Sequence, residues 1–259
     1  MPASVPAEHP PLHRGRRAVV VDVAVVALLL VAALIVHRWD MLISDTFSQL
    51  TFHRHFFGRV LQLLGKVDVI GFCIIFVAWA LGDRLLLWRF TLSMTSAAII
   101  VWVLKISVGR HRPNRMGMPV SFPSGDAAVA FVWAAIIAAH YPVIAVPAFV
   151  VAAAAAVLRV TGGYHYPSDI LVGAAIGYAA GRYAAASMQR VPGFLYRLTR
   201  GARFFAISVI AVLLGSVFRV LLGNNLAPVL VAVIVVAASV AVRQMREHKR
   251  RQAKTSDSP

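Results

Sequence analysis

Charged residues and cysteine are both scarce in this sequence. Only 14% of the 259 residues are charged, whereas about a quarter of a typical soluble domain is charged. The composition therefore argues against a soluble enzyme and against a disordered chain. The single cysteine, Cys73, excludes an internal disulfide and a cysteine-based metal cluster. Because Cys73 lies inside an apolar run, its pattern indicates a packing role.

Hydrophobic residues dominate instead, at 59% of the chain with a mean hydropathy of +0.76. A membrane-spanning helix needs about 20 predominantly apolar residues. Eight apolar runs are present, and they cover residues 18–36, 67–81, 85–104, 127–141, 143–158, 170–186, 204–222 and 226–242. The second, fourth and fifth runs are short, so we expect their helices to extend into the flanking polar residues. The pattern predicts an all-α polytopic membrane bundle with about eight transmembrane helices.

Acidic residues are also few, with 10 Asp and Glu against 26 Lys and Arg and a net charge of +16. Such an excess can indicate nucleic-acid binding. Here the basic residues lie mainly between and beyond the apolar runs, as in a membrane protein oriented by its cytoplasmic loops. We therefore expect a lipid bilayer, and no nucleic acid, as the partner. The Lys and Arg distribution predicts cytoplasmic N- and C-termini, with the loops after the third and fifth runs facing outward.

An amphipathic pattern follows the first run. Phe47, Leu50, Phe57, Leu61 and Leu64 recur at helical spacing. The pattern is typical of a helix that lies in the membrane interface, and equally of a packed surface helix. Both interpretations remain open.

Three polar clusters break the apolar pattern, and the predicted topology places all of them on the outward face. They cover residues 105–113, 122–126 and 159–169. Lys105, Arg112 and Arg159 bring three cations to that face, and guanidinium and ammonium groups suit phosphate oxygens. Ser124 and Gly125 lie at a predicted helix start, where free backbone N–H groups bind anions. Together these residues are typical of an oxyanion site.

The third cluster also contains a histidine and an aspartate four residues apart, His165 and Asp169. With Pro167 near a helix start, this spacing can place the carboxylate against one ring nitrogen, which fixes the tautomer and stabilises the charged imidazole. The other nitrogen is then free to act as a nucleophile. The sequence thus predicts a histidine that attacks phosphorus beside cations that neutralise the phosphate oxygens.

Each of these features has an ordinary structural explanation as well. A basic residue beside a helix end is usually an interfacial anchor. A Pro-Ser-Gly-Asp string is usually a helix start, with serine as the cap and aspartate in the first turn. A His-x-x-x-Asp pair is more often a simple hydrogen bond than a catalytic dyad. The order, spacing and shared side of the clusters favour one common site.

The three clusters resemble the signature of the type-2 phosphatidic acid phosphatase and vanadium haloperoxidase superfamily, which is K-x6-R-P, then P-S-G-H, then S-R-x5-H-x3-D. The positions that match are Lys105, Arg112 and Pro113, then Pro123, Ser124 and Gly125, then Arg159, His165 and Asp169. The matched region covers residues 105–169. The resemblance implies a six-helix phosphatase-type core, to which the last two helices are an addition.

The resemblance also implies a role for each matched residue. The phosphate ligands it implies are Lys105, Arg112, Arg159, Ser124 and the backbone of Gly125. His165 would be the nucleophile that forms a phosphohistidine, and Asp169 would orient and polarise it. The family needs no metal and no other cofactor for phosphate hydrolysis, so we expect none.

One position departs from the signature in an important way, because Asp126 stands where the second motif usually has histidine. The family histidine protonates the leaving oxygen, which a carboxylic acid does only when it carries a proton at the working pH. Three explanations follow. Asp126 is itself the general acid; His111 in the first cluster supplies the proton; or the leaving group needs little protonation, with weak or changed activity.

A diphosphate ester has a better leaving group than a monoester, which favours a polyprenyl diphosphate under the third explanation. Arg110 and Arg115 could then hold the second phosphate. The functional prediction is an integral-membrane lipid phosphatase, acting on a polyprenyl diphosphate, phosphatidylglycerophosphate or phosphatidic acid at the outer face of the cytoplasmic membrane. The alternatives are a lipid-to-lipid phosphotransferase of the same family and, outside the enzymes, a transporter or a catalytically weak lipid-binding relic.

The chain accordingly divides into four predicted parts. They are a basic cytoplasmic tail at 1–17, the lipid phosphatase core at 18–186, a cytoplasmic linker with two further transmembrane helices at 187–242, and a basic cytoplasmic tail at 243–259.

Overall fold

The computed structural model describes residues 16–49, 83–114, 120–187 and 244–245, and all regular secondary structure within those ranges is helical. The helices are α1 (Arg16–His37), α2 (Asp40–Ser48), α3 (Arg84–Val108), α4 (Gly125–His140), α5 (Ala145–Thr161) and α6 (Pro167–Ser187), with a 3-10 turn at Pro142–Ile144 before α5. The all-α prediction is confirmed for these residues. The second, seventh and eighth apolar runs lie outside the described residues, so the count of eight spanning helices stays a prediction.

Three of the described segments are long and apolar enough to cross a membrane, namely Arg16–His37, Arg84–Val108 and Pro142–Thr161. The fifth run therefore reaches 20 residues with its 3-10 turn, as expected. The fourth run does not, because α4 has only 16 residues. It starts directly after its N-cap residue, Ser124, and ends where Tyr141 leaves helical geometry just before Pro142. At 1.5 Å per residue, α4 is about 24 Å long.

Helix α4 is the central element of the described bundle. It contacts α3, α5 and α6, while α1 packs on the other side of α6. Half of the α4 residues are buried, most of them alanines, and Val132 and Ile136 form a core cluster with Phe90 of α3. The side chains of Leu28 and Leu34 on α1 are 68% and 74% exposed, which is the pattern of a helix with a lipid-facing side.

A row of glycines brings α6 unusually close to α4. A methyl group built on Gly173 would lie 2.3 Å from the Ser124 carbonyl oxygen, and one on Gly177 would lie 2.0 Å from the Ala128 carbonyl oxygen. Gly181 is nearly as tight, at 2.8 Å from the Ala135 Cβ. Only glycine permits this approach, which is the small-residue packing common between membrane helices. The contact holds the start of α4 against the start of α6.

Polar contacts pair the helices at the end of the bundle where α4 finishes, which we call the far end. Asp22 of α1 accepts hydrogen bonds from the Tyr178 hydroxyl at 2.7 Å and from Arg182 Nε at 2.8 Å, both on α6. Asp22 therefore joins two helices inside the bundle. Arg89 of α3 contacts His140 Nε2 at 2.9 Å. These pairs satisfy charges that a bilayer would otherwise penalise.

Candidate active site

The three polar clusters meet at the opposite end of the bundle, which we call the site end. The Lys105 ammonium donates to the Val120 carbonyl at 2.5 Å, and Ser124 N–H donates to the Asp169 carbonyl at 3.0 Å. Asp126 pairs with Arg159 at 3.1 Å. Together with the contact between Arg110 and Asp169, which are 59 residues apart, these contacts bring all three clusters to one place.

The local backbone directs the first cluster toward this place. Helix α3 ends at Gly109, whose φ of 59° is left-handed and whose N–H bonds back to the Lys105 carbonyl at 3.1 Å. Glycine adopts this conformation without the strain that a side chain brings. The chain therefore leaves the helix at Gly109, one helical turn after Lys105, and Arg110 follows into the site.

His165 is almost fully buried at the site, with 4% of its surface exposed. Its Nδ1 lies 2.8 Å from the Ser121 carbonyl oxygen. A carbonyl only accepts hydrogen bonds, so Nδ1 must carry the proton and Nε2 holds the lone pair. Nε2 is the nitrogen through which the predicted nucleophilic attack would occur.

Asp169 contacts His165 less directly than the spacing predicts. Its Oδ2 lies 3.8 Å from His165 Nδ1, beyond hydrogen-bond distance. The Ser121 carbonyl accepts the hydrogen bond from the ring N–H instead. The reason is local: α6 begins at Pro167, so His165 precedes the helix and does not share its four-residue register.

The Asp169 carboxylate is fully buried and receives three other donors. Oδ1 accepts from an Arg110 guanidinium N–H at 2.7 Å. Oδ2 accepts from the Ser121 hydroxyl at 2.5 Å and from the Tyr166 N–H at 2.9 Å. The Ser121 hydroxyl thus contacts Asp169 and the Ser121 carbonyl contacts His165, so Ser121 connects the two residues.

Ser124 and Gly125 occupy the positions that an anion site at a helix start requires. Ser124 is the buried N-cap of α4, and its Oγ accepts from Ala127 N–H at 3.3 Å. The ordinary explanation of this motif, a serine cap followed by an acid in the first turn, therefore holds. It does not compete with the functional one, since a helix start leaves its first backbone N–H groups without intrahelical partners, and the cap occupies only that of Ala127.

Two cations stand beside this helix start. Arg112 Nε is buried and finds no hydrogen-bond partner among the residues that the structure describes. A buried guanidinium donor without a partner is costly, and a phosphate oxygen would satisfy it. Lys105 lies close enough to be influenced electrostatically by Arg112 and Asp126.

Asp126 is paired with Arg159 rather than isolated. Its carboxylate, 27% exposed, lies 3.1 Å from Arg159 Nε, and the arginine side chain is 7% exposed. The contact pairs a predicted phosphate ligand, Arg159, with the predicted general acid, Asp126.

The remaining candidates are placed differently. Arg110 is engaged by Asp169 and by Asp40, the latter at 2.7 Å, and its guanidinium carbon lies 3.9 Å from the centre of the Tyr166 ring. This geometry favours an internal role over contact with a second phosphate. His111 is exposed in the loop after α3, and Arg115 lies outside the described residues.

Sequence reasoning missed Asp40, Ser121 and Ser168. Asp40 opens α2, yet its carboxylate is 2% exposed and receives the Ser168 N–H at 2.9 Å. Only its place beside the end of an apolar run could have drawn attention to it. Ser121 acts partly through its backbone carbonyl, which every residue possesses, so no side-chain pattern reveals it.

An apolar cleft of about 180 Å³ leads away from the site between α3 and α4. Lys105 and Gly125 line one end, and Ala98, Val101 and Met94 line the rest. Pockets that enclose a whole small ligand usually measure about 300–1,000 Å³. This cleft can therefore enclose only part of a larger apolar molecule.

The described ranges contain no group of three or more His, Cys, Asp or Glu side chains that could hold a metal ion. The roles assigned to the site residues, and the absence of a metal requirement, stay predictions for the experiments below.

Comparison with known proteins supplies a family. Residues 86–192 match the PAP2 superfamily. Two solved structures are similar. One is the first transmembrane PAP2 type phosphatidylglycerolphosphate phosphatase from Bacillus subtilis, with 21% identity over 69% of this chain and 98% of that chain and a TM-score of 0.52. The other is Aquifex aeolicus LpxE, with 26% identity over 54% of this chain and 92% of that chain and a TM-score of 0.46. No protein of curated function matches the sequence.

Proposed function

We propose, since the chain belongs to the PAP2 superfamily through residues 86–192, that it is an integral-membrane phosphatase acting on a lipid phosphate or diphosphate. The observation that carries the proposal is the junction of a polar site with an apolar cleft. Lys105 and Gly125 line the cleft and also belong to the predicted phosphate site. A lipid fits this arrangement, with its phosphate at the cations and part of its tail in the cleft.

The reaction begins with the lone pair of His165 Nε2. It attacks phosphorus while the cations and the start of α4 neutralise the phosphate oxygens. A P–N bond forms, the P–O bond to the lipid breaks, and the leaving oxygen takes a proton from the residue at position 126 or from solvent. Water then attacks phosphorus, the P–N bond breaks, and inorganic phosphate leaves with Nε2 restored.

Asp126 can take part in this cycle because Arg159 can pair either with Asp126 or with the substrate phosphate. In the described geometry Arg159 pairs with Asp126. A phosphate dianion would compete for the same guanidinium and, by its own negative charge, would favour the protonated carboxylic acid. Substrate binding would thus prepare Asp126 as the acid, and its ionised form would later accept a proton from the attacking water.

The test of Asp126 compares leaving groups. Asp126→Asn should lower phosphate release from a lipid monophosphate by about 10²–10⁴-fold, the usual contribution of a general acid, and release from a diphosphate by less. Asp126→His should restore the rate. If Asp126→Asn matches the wild type on both substrates, the acid lies elsewhere, and His111→Ala is the next variant. Equal or faster turnover of monophosphates by the wild type contradicts a preference for diphosphates.

The decisive experiment is phosphate release by the detergent-purified full chain. The panel holds a polyprenyl diphosphate, phosphatidylglycerophosphate and phosphatidic acid, each with and without EDTA. We expect release that persists in EDTA and is lost in His165→Ala, with that variant matched to the wild type in elution profile and melting temperature. Release that survives His165→Ala would refute the mechanism. Transfer of labelled phosphate to an added lipid, without release, would instead identify a phosphotransferase.

The orientation belongs to the same proposal. The Lys and Arg distribution supports cytoplasmic termini in the cytoplasmic membrane and a site end that faces outward. A membrane-impermeant reagent applied to intact cells should therefore label a cysteine introduced in place of the exposed His111 and spare one introduced in place of the exposed Ser187.

A further inference from the structure

Asp40 lies outside the segment that matches the PAP2 superfamily, yet it is joined to the active site. Its carboxylate is buried at the N-terminus of α2. Oδ1 accepts the Ser168 N–H at 2.9 Å. Oδ2 accepts from Arg110 at 2.7 Å and from the Ser168 hydroxyl, and it lies 3.0 Å from His37 Nδ1. These contacts cross 70 and 128 residues of chain.

A carboxylate so fully occupied has little capacity left for a substrate. Burying it is costly unless donors replace water, and here an arginine, a hydroxyl and a backbone N–H do so. Asp40 therefore contributes by holding other groups. The first is the start of α6, where Ser168 directly precedes Asp169.

The second group is Arg110, which lies between two carboxylates. One guanidinium nitrogen reaches Asp40 at 2.7 Å, and the other reaches Asp169 at 2.7 Å and the Ser168 hydroxyl at 2.9 Å. A planar guanidinium held at both ends cannot rotate freely, so its position at Asp169 depends on Asp40.

The path continues to the nucleophile by two further contacts. Asp169 accepts the Ser121 hydroxyl at 2.5 Å, and the Ser121 carbonyl lies 2.8 Å from His165 Nδ1. The Ser121 N–H also bonds the Arg110 carbonyl at 2.8 Å. Arg110 thus reaches Ser121 by its backbone and, through Asp169, by its side chain.

We propose that Asp40 is a positioning residue that fixes the tautomer and aim of His165 through Arg110, Asp169 and Ser121. It touches neither the substrate nor the reacting atoms. The catalytic part of this inference rests on the proposed phosphatase function, whereas the tautomer part does not.

The test uses ¹⁵N-histidine NMR and kinetics on the full chain, with His165→Ala to assign the resonance. We expect wild-type His165 to show a single neutral tautomer with the proton on Nδ1. Asp40→Asn should shift the resonance toward a mixture of tautomers. It should also lower kcat about 10–100-fold, the scale of a small misplacement of reacting groups. KM should stay within about twofold of the wild type, because Asp40 does not touch the substrate.

Asp22→Asn is the matched control, because Asp22 is likewise a carboxylate that binds α6 from another helix, but at the far end. We expect it to lower the melting temperature and to leave both the His165 resonance and kcat unchanged. If Asp22→Asn changes them as Asp40→Asn does, Asp40 is only a helix tie and the proposal is overturned. A wild-type tautomer in Asp40→Asn overturns it equally.

The two readouts separate the two hypotheses. If no lipid is hydrolysed, the NMR result still decides the role of Asp40, and only the proposed function fails. If Asp40→Asn does not fold, Ser168→Ala replaces it, since it removes a hydroxyl that contacts both Asp40 and Arg110. The same shift, of smaller size, is then expected, and a wild-type resonance in Ser168→Ala counts against the proposal.

Discussion

Helix α6 is bound by an aspartate near each of its ends, from α1 at the far end and from α2 at the site end. At the far end, Asp22 of α1 binds Tyr178 and Arg182 of α6. At the site end, Asp40 binds Ser168 of α6 and Arg110. The Asp22 side chain is 13% exposed and that of Asp40 is 2% exposed. A carboxylate between helices is thus common to both ends.

What differs is the continuation of the contacts. The hydrogen bonds of Asp22 join α1 directly to α6. Those of Asp40 continue through Asp169 to the carbonyl that binds His165. The comparison teaches that a buried acid in this bundle is not by itself a sign of catalysis. Its connection to a histidine with a free lone pair is what distinguishes the site end.

The largest effect should come from breaking the connection at Asp169. Asp169→Asn replaces an oxygen that accepts from a buried donor with an amide N–H that cannot. We expect kcat to fall about 10⁴-fold, the scale seen when the acid that orients a catalytic histidine becomes an amide. Steady-state phosphate release measures this, and Asp22→Asn, with near wild-type kcat, is the comparison. A similar loss in both variants would erase the distinction between the two ends.

The glycine row on α6 allows the same kind of substitution, glycine to alanine, to be made either at the site end or toward the far end. Gly173→Ala brings a methyl group against the Ser124 carbonyl at the site, whereas Gly181→Ala meets Ala135 and Val132 away from it. Both should lower stability, by about 1–3 kcal/mol for an overpacked contact. Only Gly173→Ala should also lower kcat, by about 10–100-fold, because it displaces the start of α4.

Melting temperature and kcat measured on the same preparations check this pair. Equal losses of kcat in Gly173→Ala and Gly181→Ala would mean that the whole α4–α6 contact, rather than its site end, controls the rate.

A smaller effect is expected at Gly125, where the site meets the cleft. A methyl group there has its nearest neighbour, Val101 Cγ1, at 3.7 Å, so Gly125→Ala should fold normally. It narrows the cleft beside Lys105, and we expect KM for a lipid substrate to rise about tenfold, the lower range for one methylene in an apolar pocket. A water-soluble phosphate ester should show a smaller rise. An equal rise for both substrates would show that the cleft does not bind the tail.

The smallest effect on activity should come from His140 at the far end. His140→Ala removes one hydrogen-bond partner of the buried Arg89 side chain, at a cost of about 1 kcal/mol in stability. We expect a lower melting temperature and an unchanged kcat per folded molecule. A reduced kcat in a folded preparation would show that the far end communicates with the site.

The spacing of the side chains predicts that the three clusters meet, and the structure brings them together, whereas the roles of their residues stay predictions. The order of the three clusters predicted which residues meet, because each cluster borders an apolar run and alternating runs return the chain to the same face. The partner of His165 was harder to predict. Its contact with Ser121 depends on where α6 begins and on a backbone carbonyl, neither of which the spacing of His165 and Asp169 defines.

Asp40 and the glycine row illustrate two different limits. The sequence around Asp40 does not reveal its partners, since Arg110 and Ser168 become its neighbours only in the folded bundle. The glycines at 173, 177 and 181 repeat every four residues, a pattern typical of close helix packing. The repeat alone does not say which helix they contact. Helix α4 is short because it begins after Ser124 and ends before Pro142. Hydropathy alone does not predict such helix ends.

The cleft between α3 and α4 also determines how substrate concentration should be expressed. Under the proposed function, a lipid reaches Lys105 while most of its tail remains among other lipids, so the enzyme samples a two-dimensional mixture. Its rate should then follow the mole fraction of substrate in the membrane or micelle. Dilution with inert detergent at constant bulk substrate should slow the reaction, and addition of buffer alone should not.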